Sequence, residues 1–170
     1  MAVKKPKGNP ALGQIQLTRN FYLNEFVETE WGSRNGVANF PNAPGVMPNL
    51  YKLAELLEEV RKVCGNKGVF ITSGYRCPEV NTGIGGSKTS DHLTGSAADI
   101  RVPGYGSPIH VAEAIIKSGI KFGQLIYEGS WVHISLPEGI NDGQVLTAVF
   151  TRGKPTTYRA GIEQIPPAAH

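Results

Sequence analysis

The run QLIYEGSWVHIS, residues 124–135, constrains the fold of this chain more than any other stretch. Two short apolar, β-branched and aromatic segments flank Gly129 and Ser130, and glycine at the first of two loop positions signals a type II′ β-hairpin. In that register Glu128 pairs with Trp131. Side chains alternate along a strand, so His133 shares a face with Trp131 and therefore with Glu128. A carboxylate and an imidazole converge on one side of an antiparallel pair.

The rest of the pattern gives this hairpin a setting. NLYKLAELLEEVRKVCG predicts a helix over 49–65, with Leu50, Leu53, Leu57, Val60 and Cys64 at helical spacing, Asn49 as its cap and Gly65 as its end. SPIHVAEAIIKSG predicts a second helix, with Ser107 at the N-cap, Pro108 in the first turn and Gly119 just beyond the end. Strands are expected at Val69–Ser73, Ala97–Val102, Gln124–Glu128, Trp131–Leu136 and Val145–Thr151. Two helices ahead of and among short strands imply an α+β single domain, with flanking helices on a mainly antiparallel sheet.

Length and composition agree. The 170 residues, 40% hydrophobic and 18% charged, suit one globular domain with a proper core. That domain is expected over 14–160, between an N-terminal tail, 1–13, and a C-terminal tail, 161–170, both rich in Pro, Gly and Ala. A formal charge of +3 is too small to argue for nucleic acid as a partner. No apolar run approaches the roughly 20 residues of a membrane span. MAVKKPKGNPAL has lysines without an apolar stretch behind them, which is not a secretory signal. Synthesis in a cytoplasm, and another route to any extracellular target, are therefore expected. Cys64 and Cys77 read as two reduced thiols.

KTSDHLTGSAADIRV, residues 88–102, carries the chemistry. His92 and Asp99 are separated by small residues, Gly95 to Ala98, that leave room around whatever the two hold. Zinc catalysis needs about three N or O ligands and one open position. His92, Asp99 and His133 supply that set if the strand at 97–102 lies beside the one bearing His133, placing a zinc site on the sheet face. Glu128 is then the natural base to move a proton between water and the leaving amine.

The pattern S-x-H-x-x-G-x-A-x-D, formed by Ser90, His92, Gly95, Ala97 and Asp99, resembles that of zinc D-alanyl-D-alanine carboxypeptidases and L-alanoyl-D-glutamate endolysin peptidases. WVHIS downstream, and NFYLNEF, ITSGYRCPEVN and GGSKTSDH, extend the resemblance over roughly 17–150. It implies one Zn²⁺ per chain on His92, Asp99 and His133. Arg76 matches the arginine that holds a substrate carboxylate or carbonyl oxygen, and Ser90 binds substrate or steadies the metal's surroundings. It further implies a monomeric, phage-type metallopeptidase cutting peptidoglycan stem peptides or cross-links, released by a holin or carried on a virion. The departure lies at the base: many relatives have an acidic residue three positions before the last histidine, where this chain has Ser130. Glu128 takes that role by the hairpin argument. The competing readings are a non-catalytic binding module of the same fold, or a virion protein in which zinc is structural.

Other candidates read as structural. Asp91 is a surface charge, His110 an exposed first-turn residue, His170 a disordered terminal residue, and Gly85–Gly86 a turn.

Overall fold

The computed structural model describes residues 15–137 and 142–165, so the expected tail at 1–13 and His170 lie outside the described residues. In chain order the elements are α1 (Leu23–Val27), α2 (Glu30–Asn35), α3 (Val46–Val63), β1 (Phe70–Ser73), α4 (Pro78–Gly83), a 3₁₀ turn (Asp91–Thr94), β2 (Ala97–Arg101), α5 (Pro108–Ser118), β3 (Gln124–Tyr127), β4 (Val132–Ser135), β5 (Gln144–Val149) and β6 (Thr157–Ala160). The six strands form one sheet in the order β1-β2-β4-β3-β5-β6. The α+β class with a mostly antiparallel sheet is the one the sequence implies. The described residues divide into two compact units, 15–58 with 73–98, and 59–72 with those from 99 to 165.

The first unit is mostly helical. Phe21 and Phe26 meet edge to face with centroids 6.0 Å apart, and Leu50, Leu53 and Leu57 of α3 are fully buried. Trp31 of α2 lies so close to Gly83 of α4 that a β-carbon there would overlap its ring, which fixes a glycine at that helix contact. Helix α3 starts at Val46, three residues before the expected cap. Asn49 instead lies in the first turn, where its amide N–H bonds Gly45 O. Its side chain reaches out to Thr94 O at 3.0 Å and Ser96 Oγ at 3.2 Å.

The second unit holds most of the sheet. Helix α5 forms as expected, with Ser107 at the N-cap position and Gly119 closing it at φ 76°. Its buried residues Ile109, Ala112 and Ile115 accompany packing on β3 and β4. Strands β3 and β4 are antiparallel, with Tyr127 opposite Val132 and Ile126 opposite His133. Strand β3 also pairs with β5, in parallel, and β5 pairs with β6 in antiparallel fashion. Beyond β6 the chain folds back onto β5. Gly161 N–H donates to Val145 O, while the Thr147 hydroxyl donates to Gly161 O and accepts from Glu163 N–H. The segment 161–165, placed by sequence in a tail, is thus hydrogen-bonded to the sheet.

Candidate metal centre

The hairpin expected from Gly129–Ser130 is present. Glu128 N–H donates to Trp131 O at 3.1 Å, and Gly129 turns the chain at φ 77°, which an L side chain rarely adopts. Continuing the paired register places Glu128 opposite Trp131, on the face that carries His133. The same register runs outward: Tyr127 pairs with Thr147, so Glu128 comes level with Ala148, whose partner on β6 is Tyr158. Tyr158 ionises above the ordinary tyrosine value of 10.0, because of partial burial first and then the Glu128 charge. Glu128 therefore stands close enough to sense the Tyr158 hydroxyl.

His92 is set by the 3₁₀ turn. Ser90 caps that turn, its Oγ accepting from His92 N–H at 3.4 Å, and Gly95 ends it at φ 72°. A β-carbon on Gly95 would lie 3.2 Å from both Leu50 and Val46, so glycine suits both the backbone and the packing there. The imidazole is 3% exposed, and its Nδ1 lies 2.7 Å from Gly74 O. A carbonyl can only accept, so Nδ1 carries the proton. Nε2 is left with the lone pair that a metal needs.

Asp99 and His133 come from β2 and β4, neighbours in the sheet. Both are buried, and Oδ1 of Asp99 lies 2.9 Å from Nδ1 of His133. Asp99 is steadied through its backbone, where its carbonyl accepts from the Thr72 hydroxyl at 3.1 Å. His92, Asp99 and His133 each offer one ligand atom, and these atoms lie within 4.8 Å of one another. Two imidazoles and one carboxylate, all buried, with one imidazole already oriented by a carbonyl, are a donor set that would suit a zinc ion.

Among the other expected site residues, half-buried Arg76 sits in the segment just after β1. Its Nε donates to Ser73 Oγ at 2.9 Å and its backbone N–H to His92 O at 3.0 Å. Ser90 has the capping role already described. His110 is exposed and bonds Ser107 Oγ at 3.0 Å, while Asp91 is exposed. Cys64 and Cys77 are free thiols. Two contributors escaped sequence reasoning. Gly74 supplies the carbonyl that orients His92, and its only sequence signal is a glycine closing a strand. Tyr158 sits in an exposed strand with no burial alternation to mark it.

The fold and this donor set define a candidate metal centre, in which three buried side chains could hold one ion. The sequence matches the family model described as Peptidase M15 over residues 19–135, and the chain belongs to that family. It is accordingly a metallopeptidase of a zinc-dependent family that acts on peptidoglycan. No curated protein matches the chain. No helix among the described residues is long and apolar enough to cross a membrane.

Proposed function

We propose that this chain hydrolyses a peptide bond in the stem peptides or cross-links of bacterial peptidoglycan, as a phage endolysin or a virion-associated lysin. The observation that carries the reading is the buried His92–Asp99–His133 group, with His92 held in the metal-binding tautomer by Gly74 O. A zinc ion held there supplies Lewis acidity, making water acidic near neutral pH and polarising a carbonyl oxygen. The protein does the rest. Arg76 presents a planar fork of N–H donors to a substrate carboxylate or carbonyl oxygen. Glu128, on the His133 face of the hairpin, takes a proton from water at a carboxylate oxygen. It then delivers that proton to the amine nitrogen, as the water oxygen bonds the carbonyl carbon and the C–N bond breaks. Its carboxylate is half-buried, so it is only partly screened by water.

The test is direct. Protein reconstituted with zinc, and protein stripped by a chelator, are each incubated with purified peptidoglycan, and the soluble products are resolved by mass spectrometry. Release of peptide-bearing fragments by the zinc form alone supports the reading, and the new termini name the bond that is cut. Intact peptidoglycan in the presence of protein carrying one zinc per chain refutes it. His133→Ala should lose metal and cleavage together.

A further inference from the structure

The segment Gly74–Cys77, which carries Arg76, is held by directed bonds from outside itself. Tyr75 N–H donates to Phe26 O at 2.7 Å, and Arg76 N–H donates to His92 O at 3.0 Å. The remaining bonds converge on one side chain. Asn39 donates from Nδ2 to Tyr75 O at 2.7 Å and to Val27 O at 2.9 Å, and its Oδ1 accepts from Cys77 N–H at 2.7 Å. Both amide protons and the carbonyl oxygen are thereby used, in a residue only 9% exposed. The two contacts to the Arg76 segment fall on the residues immediately before and after Arg76.

We infer that Asn39 is a positioning residue for Arg76, a carboxamide bracket that fixes the arginine backbone from both flanks and ties it to the end of α1. The inference rests on the proposed role of Arg76 in holding a substrate oxygen. Only a carboxamide at this reach gives two donors and one acceptor in one plane. Aspartate cannot donate from its ionised form, and serine is too short to span three partners. With the peptide units on both sides of Arg76 fixed, its Nε occupied by Ser73 and its amide by His92, the guanidinium has few orientations left. A substrate oxygen meeting such a group finds it already in place, so little ordering entropy is lost on binding.

A double-mutant cycle tests this. Asn39→Ala, Arg76→Ala and the double variant are compared for kcat, KM and bound zinc on a soluble peptidoglycan peptide, with Asn39→Ser replacing Asn39→Ala if the latter does not fold. Amide hydrogen exchange at Arg76 and Cys77 gives a readout independent of turnover. Asn39→Ala should keep its zinc, speed exchange at Cys77, and lose about 10–100-fold in kcat/KM, the penalty of a substrate-positioning group displaced by about an ångström. In the Arg76→Ala background the same change should cost nothing further. Equal losses from Asn39→Ala with and without Arg76 overturn the inference while leaving the role of Arg76 intact. If Arg76→Ala itself retains normal kcat/KM, the arginine does not hold substrate. The proposed role then fails, and the positioning inference fails with it for that separate reason.

Discussion

Gly74→Ala should damage stability and metal binding together, because one atom position serves both. A β-carbon on Gly74 would overlap Phe26 O and sit 2.8 Å from Phe26 Cα, both backbone atoms that no rotamer change can move. Restoring ordinary contact requires the two segments to separate by about 1 Å. The Tyr75 N–H to Phe26 O bond, 2.7 Å in the native fold, would then exceed hydrogen-bonding distance. A buried donor left unpaired costs about 1–3 kcal/mol, and overpacking adds about 1–3 kcal/mol, for a total near 2–6 kcal/mol. For a chain of this size the middle of that range lowers Tm by roughly 12 °C, at about 3 °C per kcal/mol. The same displacement draws Gly74 O away from His92 Nδ1, and loss of such an orienting partner weakens metal affinity by about 10–100-fold. Thermal unfolding of the metal-free protein and zinc competition against a chelator measure the two effects separately. A Gly74→Ala variant with native Tm and native zinc affinity would show that neither the close approach nor the carbonyl matters as argued.

Glu128→Gln keeps shape and hydrogen bonding but removes the basic oxygen. Zinc content and Tm should hold while peptide hydrolysis falls by about 10²–10⁴-fold, and unchanged turnover would move the base elsewhere. In the same variant the Tyr158 phenol, now raised by burial and by the Glu128 charge, should ionise at lower pH. Ultraviolet difference titration against Tyr158→Phe isolates its signal, and an unmoved midpoint would place Glu128 away from β6. Burial holds the Cys64 thiol above its ordinary value of 9.0, so at neutral pH it is protonated as well as shielded. A thiol reagent should therefore label half-buried Cys77 well before Cys64 in the native protein, with peptide mapping as the check.

Much of this was legible in local pattern. Helix α5 carries its own start and stop residues, and the strands are short apolar runs bounded by glycine or proline. The β3–β4 register follows from two loop residues, and from it the shared face of Glu128 and His133. What escaped depends on partners far along the chain. Asn49 looks like a helix cap because asparagine usually serves its own backbone, yet here its amide is spent on Thr94 and Ser96. Helices α1, α2 and α4 span five or six residues, too few for an apolar period to declare itself. Strand β6 is exposed along its length, so no alternation marks it. Parallel pairing of β3 with β5 has no signature in either strand alone. Asn39 sits in a polar stretch, NFPNAPG, that reads as loop, and only the fold discloses that its amide ends beside Arg76.

The family match stops at residue 135, whereas the sheet continues through β5 and β6 to Ala160. Strand β3 lies between β4 and β5 and gives hydrogen bonds to both. A fragment trimmed to the matched residues would keep all three candidate ligands but leave β3 as a bare edge. Its outward N–H and C=O groups and its apolar residues Leu125 and Ile126 would then be open to pairing with another copy. Such a fragment is expected to form insoluble aggregates on expression, and an engineered minimal enzyme has to retain the two trailing strands as the sheet's protective border.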